Sequence, residues 1–330
     1  MTTKDHTPLL EVERLQVGFA TSRGYIQAVK DFSCHLQTNE TLGIVGESGS
    51  GKSVASLALM RLLPDNTKWH ADKIKFSEHD LLSLCSREFQ RLRGKGMAMV
   101  FQNPMTSLNP CYTVGQQLLE TLAIHRPHLR SKNFQREKAI ALLQQVGIPA
   151  AAERMRSFPH ELSGGMAQRV MIAMALACQP KLLIADEPTT ALDVTISRQI
   201  LDLLDRIKQR RSMSMILISH DLMTVERYCA RVVVMYAGEV VESGATAQVF
   251  SKPRHPYTQA LLAALPHRHK NAVGKPLPTI EGNVPSAYDT IKGCRFHPRC
   301  QYADDQCRKE RPLLANHHRA VRCHHPLHPR

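Results

Sequence analysis

The sequence predicts an α/β fold built around a parallel sheet. Short apolar stretches of strand length recur at residues 41–45, 182–186 and 214–219, and segments with apolar residues at helical spacing lie between them. Helices that alternate with buried strands are typical of a parallel sheet covered on both faces. A content of 43% hydrophobic and 22% charged residues is that of an ordinary globular protein.

The first part of the chain is predicted to begin with β-structure and to continue into helices. Near-alternation of apolar and polar residues predicts strands at 9–17 and 28–36, and residues 41–45 form a short buried strand. Helical spacing predicts helices at 53–63, 81–94 and within 114–147. We therefore expect a mainly helical subdomain over about residues 103–178.

The second part returns to alternating helices and strands. The apolar patterns predict a helix at 171–177, a strand at 182–186, a helix at 197–209, a strand at 214–219 and a hairpin-like pair at 231–244. We expect residues 1–250 to form one domain that contains all of these elements.

The composition changes near Ser251. Residues 251–330 carry 14 Lys plus Arg against 5 Asp plus Glu, which is +9 of the total +14, and hold 4 of the 9 cysteines and 10 of the 19 prolines. Such a shift predicts a separate C-terminal extension over residues 251–330.

The apolar stretches, the first residues and the net charge restrict the class of protein and its partners. No uninterrupted apolar stretch approaches the roughly 18 residues of a membrane-spanning helix, so we do not expect an integral membrane protein. Residues 1–15 lack the basic start and apolar run of a secretory signal, so we expect a cytosolic protein. The charge of +14 favours nucleic acid, anionic lipid or phosphorylated ligands as partners.

A phosphate-binding loop is the most specific motif. It follows a predicted strand and precedes a predicted helix, which is the context that the G-x-x-x-x-G-K-[ST] motif requires. Its backbone N–H groups would face phosphate oxygens at a helix N-terminus, its lysine would reach the β and γ phosphates, and its serine would bind Mg²⁺. The residues are Gly46, Glu47, Ser48, Gly49, Ser50, Gly51, Lys52 and Ser53.

Two acidic residues end a later buried strand. Four apolar residues, 182–185, precede Asp186 and Glu187. Open α/β sheets bind ligands at the carboxyl ends of their strands. With a phosphate loop in the same chain, Asp186 is expected to hold the Mg²⁺ shell and Glu187 to polarise the water that attacks the γ-phosphate.

Between these two motifs the chain contains Leu162, Ser163, Gly164, Gly165 and Met166. With this segment the chain resembles the ATP-binding subunits of ABC transporters, whose signature is LSGGQ, and Met166 stands in place of the usual glutamine. Ser163 and the two glycines keep the hydroxyl, the backbone N–H groups and the close approach expected at a helix N-terminus.

Four further positions fit the same resemblance. It implies that Gln102 senses Mg²⁺ and water, that Asp193 is the D-loop acid and that His220 is the switch histidine. Phe19 falls where the family places an aromatic ring against adenine. The resemblance thus implies a P-loop NTPase fold with Glu187, His220 and Gln102 as catalytic residues, and with Ser53, Gln102 and Asp186 as Mg²⁺ ligands.

The resemblance narrows to the dipeptide and oligopeptide importer branch. It depends on the sequences at 103–115, 180–196 and 255–266. That family implies an ATPase that energises peptide import from the cytoplasmic face of the inner membrane, as a peripheral subunit. The implied partners are a second, homologous ATPase subunit in a heterodimer, two transmembrane permease subunits and, indirectly, an extracytoplasmic peptide-binding protein. The implied dimer closes on ATP bound between the phosphate loop of one subunit and the signature of the other.

Four cysteines in the C-terminal extension predict a metal site. In a reducing cytosol, clustered cysteines are better explained as metal ligands than as disulfides. Four thiolates suit Zn²⁺ or an iron–sulfur cluster, and the spacing alone does not choose between them. Resemblance to the dipeptide importer subunit implies a 4Fe-4S cluster, with Zn²⁺ as the alternative. The residues are Cys294, Cys300, Cys307 and Cys323, spaced C-x₅-C-x₆-C-x₁₅-C.

Other functions stay open at this point. Import of other peptides, haem precursors or nickel would use the same ATPase architecture. An ABC ATPase that handles nucleic acid is disfavoured, because the 61 positions from Gln102 to Ser163 leave no room for long coiled-coil arms and the basic tail lacks the interleaved aromatic residues of single-strand binders. We therefore expect no nucleic-acid partner. A purely regulatory pairing partner is disfavoured by the presence of Glu187 and His220.

Overall fold

The computed structural model describes residues 7–126, 131–265, 278–286, 288–289, 291–314 and 319–328. Within these residues there are twelve strands: β1 Leu10–Thr21, β2 Gly24–Leu36, β3 Thr41–Val45, β4 Thr67–His70, β5 Lys73–Phe76, β6 His79–Asp80, β7 Met97–Val100, β8 Leu182–Asp186, β9 Ser214–Ile218, β10 Arg231–Tyr236, β11 Glu239–Ala245 and β12 Ala320–Val321. Twelve α-helices accompany them: α1 Lys52–Leu59, α2 Ser86–Lys95, α3 Pro104–Ser107, α4 Val114–His125, α5 Lys132–Gln145, α6 Ala151–Arg154, α7 Gly164–Ala177, α8 Val194–Arg211, α9 Leu222–Tyr228, α10 Thr246–Ser251, α11 Pro256–Ala263 and α12 Asp305–Lys309.

The chain divides into two compact units. The first takes the described parts of residues 1–36, 41–82 and 219–330, and the second takes those of 37–40 and 83–218. Described residues of the extension thus fall in the same unit as the strand that precedes the phosphate loop. The predicted domain bounds, 1–250 with a helical subdomain at about 103–178 and then 251–330, stay a prediction.

The first unit is built on a mixed sheet. Its strands follow the order β6-β5-β1-β2-β11-β10-β3, with β4 paired to β1 and β12 paired to β11. Strands β10 and β3 are parallel, as are β11 and β2, whereas β1 is antiparallel to β2, β4 and β5. The sequence pattern predicts β1 and β2 as strands without setting their direction, and they pair antiparallel because only residues 22–23 separate them and so short a link forms a hairpin.

The second unit contains a parallel sheet and a group of helices. Strands β7, β8 and β9 pair in parallel, and β8 and β9 are buried along their whole length. This burial on both faces explains why their sequences are continuous apolar runs. Helices α3–α7 lie between β7 and β8 in the chain, and α4, α5 and α7 pack against one another.

Several elements lie where the sequence pattern predicts them, although the helix predicted at 81–94 begins only at Ser86. The hairpin predicted at 231–244 is the antiparallel pair β10 and β11, and the predicted strands at 41–45, 182–186 and 214–219 are β3, β8 and β9. In the part of the chain that the structure describes, the helices fall short of the length and apolar character that spanning a bilayer demands.

Candidate nucleotide site

The phosphate loop joins β3 directly to α1. Every residue of β3 is buried, and α1 begins at Lys52 with Gly51 as its N-cap in the left-handed region, at φ 95°. A Cβ atom on Gly51 would lie 2.6 Å from the carbonyl oxygen of Ala28, and one on Gly46 would lie 2.1 Å from that of Met235. Glycine is therefore required at both ends of the loop by its close approach to neighbouring backbone as well as by its φ.

The lysine of the loop is held inside it. Lys52 is buried, and its Nζ donates to the carbonyl oxygens of Gly46 at 2.8 Å and Glu47 at 3.0 Å, and to Ser50 Oγ at 3.3 Å. The ammonium group is thus directed into the concave side of the loop, where an anion would meet it together with backbone N–H groups. Ser53 follows at the first turn of α1.

The outer side of the same loop contacts the C-terminal part of the chain. The Glu47 N–H donates to Tyr257 Oη at 2.9 Å, and the Glu47 carboxylate pairs with Arg299. The sequence did not indicate either contact, although residues 255–266 had been singled out as typical of the importer branch. Tyr257 is wholly buried, and burial raises the pKa of its hydroxyl group, which therefore stays neutral.

His220 and Phe19 also belong to the first unit. His220 is exposed and follows Ser219, whose N–H donates to the Ile44 carbonyl at 3.2 Å. The histidine therefore lies near the end of β3 that leads into the phosphate loop. Phe19 is half-buried on β1, opposite Ile26 of β2 and Thr67 of β4. A stacking role for Phe19 stays a prediction.

The acidic strand of the second unit brings two predicted residues together. Gln102 Nε2 donates to Glu187 Oε2 at 3.0 Å, although 85 positions separate them, and Thr190 Oγ1 donates to the same oxygen at 2.9 Å. The Glu187 N–H donates to the Ile218 carbonyl at 3.0 Å, and its φ of 45° is unusual for a residue other than glycine. A carboxylate held by two donors has a fixed orientation, which suits a group that must orient water. Thr190 carried no signal in the sequence.

Asp186 and Glu187 differ in exposure. Asp186, the last residue of β8, is 5% exposed, whereas Glu187 is half-buried just beyond the strand. The first acid is thus enclosed at the end of the strand, and the second is partly open to solvent. Their roles stay a prediction.

The signature segment forms a helix N-terminus. Ser163 caps α7 by accepting the Met166 N–H at 3.3 Å, and Gly164 and Gly165 are the first two helical residues. A Cβ atom on Gly165 would lie 2.8 Å from Ile196 Cγ2, so the glycine lets α7 begin close to α8. Ser163 and Gly164 are exposed and Met166 is half-buried.

The predicted D-loop acid has a visible local role. Asp193 is the N-cap of α8 and accepts the Ile196 N–H at 2.8 Å. Its carboxylate therefore fixes the start of α8 within this chain. A role for Asp193 toward a second subunit stays a prediction.

The four cysteines of the extension line one small cavity. Cys294, Cys300, Cys307 and Cys323 share it with Phe296, His297, His324 and other residues. Burial raises the pKa of Cys294 to about 11 and that of Cys323 to about 12, and it also raises the pKa values of Cys300 and Cys307. Against this effect, backbone N–H groups of Phe296, Tyr302 and His325 are directed at three of these sulfur atoms and favour the thiolates.

The donor set of this cavity fits a group that binds thiolates. Buried thiols with raised pKa values stay protonated at neutral pH unless a cation replaces the proton. Among the described residues, one group of three possible metal-binding side chains has its ligand atoms within 4.8 Å of one another, and it consists of Asp304, Cys307 and His325. Four sulfur ligands of one zinc ion at about 2.3 Å would lie roughly 3.8 Å apart. The cysteines thus surround a common space but are not gathered around a single-ion position.

The sequence of this chain is similar to those of known proteins. Residues 29–190 match the family described as ABC transporter, and residues 241–307 match the family described as oligopeptide/dipeptide transporter, C-terminal region. The dipeptide transport ATP-binding protein DppD of Escherichia coli is 50% identical over 322 residues, which are 97% of this chain and 97% of that protein. The chain belongs to the ABC transporter family. The oligopeptide transport ATP-binding protein OppD of Salmonella typhimurium is 48% identical, over 93% of this chain and 90% of its own.

Solved structures agree with the fold of this ABC transporter subunit. The dimeric post-hydrolysis state of the ATP-binding cassette MJ0796, bound to ADP and Pi, has a TM-score of 0.64 at 24% identity and covers 72% of this chain and 98% of its own. The protein cbiO1 from Clostridium perfringens, part of the ABC transporter complex cbiONQ, has a TM-score of 0.61 at 27% identity, over 74% and 91% of the two chains. The predicted P-loop NTPase fold is therefore confirmed, and the family makes this chain an ATP-binding ATPase subunit.

Proposed function

We propose that this chain hydrolyses ATP to drive the import of dipeptides across the cytoplasmic membrane. The observation that carries the proposal is the phosphate loop of the first unit, with its buried Lys52 and its glycines at both ends. The chain is also 50% identical to a dipeptide transport ATP-binding protein over 97% of its length. Import of longer peptides is the second candidate, since an oligopeptide transport ATP-binding protein is 48% identical.

The proposed site residues divide by task. Backbone N–H groups of residues 46–53 and Lys52 bind the phosphates, and Phe19 stacks on the adenine ring. Ser53, Gln102 and Asp186 hold Mg²⁺. Glu187 orients and deprotonates the attacking water, with Gln102 holding its carboxylate and His220 contacting the γ-phosphate. The paired hydrogen bonds to Glu187 Oε2 support this assignment, because they fix the orientation that general-base catalysis requires.

We further propose that the subunit works as one half of a heterodimer beneath two permease subunits on the cytoplasmic face. The exposed N-terminus of α7 supports this proposal, since Ser163 and Gly164 face outward and offer N–H groups to an anion. In the dimer they would face ATP bound on the partner ATPase. An extracytoplasmic binding protein would deliver the peptide to the permease subunits.

The four-cysteine cavity is proposed to hold a 4Fe-4S cluster, with Zn²⁺ as the alternative. Cys294, Cys300, Cys307 and Cys323 would be its ligands, and the N–H groups directed at three of the sulfur atoms would stabilise the thiolates. When bound, such a cluster supplies four iron–sulfur bonds that fasten the extension. The chain's own residues hold the ligand loop in place by the hydrogen bond from the Cys294 N–H to the Cys307 carbonyl, at 2.8 Å.

Uptake measurements test the transport function. Cells whose only copy of the gene carries Lys52→Ala are expected to lose uptake of a labelled dipeptide, and Lys252→Ala, on an exposed lysine after α10, is the matched control. Unlabelled dipeptides should compete more strongly than longer peptides. Stronger competition by longer peptides would favour the second candidate, and normal uptake with Lys52→Ala would contradict both.

Metal analysis tests the cysteine site. Protein purified without oxygen is expected to contain about four iron and four acid-labile sulfide ions per chain, as a 4Fe-4S cluster requires. Cys300→Ser should lose both, whereas Cys85→Ser, on an exposed cysteine outside the extension, should lose neither. One zinc ion per chain without sulfide would establish the alternative. Metal-free protein of unchanged stability would remove the proposal.

A further inference from the structure

Arg299 joins the cysteine-containing extension to the phosphate loop. Its Nη1 donates to Glu47 Oε2 at 2.8 Å and its Nη2 donates to Glu47 Oε1 at 3.2 Å, so the two side chains form a bidentate pair. They lie 252 positions apart in the chain. The arginine side chain is 4% exposed and the glutamate side chain 26%, so the pair is shielded from water on the arginine side.

The guanidinium group is fixed on its other edges as well. Arg299 Nε donates to the Glu281 carbonyl at 3.0 Å, Nη2 also donates to the Ile280 carbonyl at 3.2 Å, and the group lies 5.8 Å from the centre of the Tyr236 ring. A planar donor held at several points has one orientation. Glu47 therefore pairs with a rigid partner rather than with a flexible surface side chain.

The backbone of Glu47 is held by the same part of the chain. Its N–H donates to Tyr257 Oη, and the Tyr257 ring packs on Phe296 at 5.4 Å and on Tyr236 at 4.6 Å between ring centres. Phe296 and Arg299 both lie between Cys294 and Cys300. One short segment of the extension thus holds both the side chain and, through Tyr257, the backbone of the first variable residue of the phosphate loop.

We propose that Arg299 is a positioning residue for nucleotide binding, which acts by holding Glu47 and with it the entrance of the phosphate loop. In this role Arg299 acts through Glu47 and not on the reacting atoms. It keeps the loop in the shape that binds phosphate, so that the ligand need not order the loop itself. This inference depends on the proposed nucleotide site and adds a function for the extension in ATP affinity.

The size of the effect follows from the fraction of loops that are competent to bind. When only a fraction of molecules holds the binding shape, the apparent Kd rises by the inverse of that fraction. Loss of a partly buried, charge-assisted pair is expected to lower the fraction by about tenfold, which corresponds to a hydrogen bond to a charged group. The kcat at saturating ATP should change by less than about threefold, because bound nucleotide restores the loop.

The experiment measures the Kd of the full-length chain for fluorescently labelled ATP with Mg²⁺, and its ATPase kinetics. Arg299→Gln and Glu47→Gln are each expected to raise Kd and KM about tenfold, and the double variant should be no weaker than either single variant. Arg299→Lys should recover part of the affinity, since it keeps the charge but loses the bidentate geometry. Arg308→Gln is the matched control, because Arg308 pairs with Asp305 on an exposed face of the same extension.

Two further measurements separate the possible failures. Iron and zinc content should be equal in Arg299→Gln and the wild type, which would show that loss of metal does not cause the weaker ATP binding. Lys52→Ala should abolish binding, and if it does not, the proposed nucleotide site is wrong. If Lys52→Ala abolishes binding while Arg299→Gln binds like wild type, or if the two single effects multiply in the double variant, the role of Arg299 is refuted.

Discussion

Arg322 offers a sharp test of how the extension is fastened to the sheet. Its side chain is 3% exposed, and it donates from Nη2 to Asp31 Oδ2 at 2.8 Å, from Nε to the Val240 carbonyl at 2.9 Å and from Nη1 to the Pro312 carbonyl at 3.3 Å. Arg322→Gln would leave Asp31 and two carbonyl groups without these donors. We expect the short strand β12 to separate from β11.

The magnitude follows from these contacts. Removal of one member of a buried ion pair costs about 3–5 kcal/mol. Asp31 keeps a second arginine, Arg311, at 3.6 Å, so we place the cost at the lower end, near 3 kcal/mol. Since about 1.4 kcal/mol is a factor of ten, local opening should become roughly a hundredfold more frequent.

Hydrogen exchange measures this opening directly. Amides of β11 and β12, which pair at Glu242 with Val321 and at Ser243 with Ala320, should exchange about a hundredfold faster in Arg322→Gln. Arg308→Gln is again the control, because its exposed pair should leave exchange within about twofold of the wild type. Exchange in Arg322→Gln within threefold of the wild type would refute this account of the anchor.

Three other variants test the nucleotide site. Glu187→Gln keeps an acceptor for the Gln102 amide and is expected to retain ATP binding while phosphate release falls by about 10²–10⁴-fold; undiminished turnover would contradict the assigned role. Gly46→Ala would push a Cβ atom against the Met235 carbonyl, so we expect displacement of the loop and more than tenfold weaker ATP binding by fluorescence titration, and unchanged binding would show that the loop tolerates the contact. Ser163→Ala removes the cap of α7 and should lower the free energy of unfolding by about 1 kcal/mol in a urea titration, with a null result meaning that solvent replaces the cap.

Local patterns predicted the phosphate loop and the buried strands well. The glycine positions and the strand before them restrict backbone conformation over a few residues, and Gly46 and Gly51 occupy positive φ in the structure. The hairpin at 231–244 is equally local. The strand pattern did not indicate the direction in which β1 and β2 pair, because that direction is set by the two-residue link between them, which forms a hairpin.

By itself the sequence determined the motifs: the glycine-rich loop between β3 and α1, the acids at the end of β8, the serine and glycines that start α7, and the cysteine spacing. These depend on residue type and short-range backbone geometry. Only the tertiary structure decided which distant side chains meet. The pairs Gln102–Glu187 and Arg299–Glu47 join residues 85 and 252 positions apart. An ion pair or a hydrogen bond forms wherever strand order and packing bring a donor to an acceptor, and no local sequence pattern encodes which distant residues will meet.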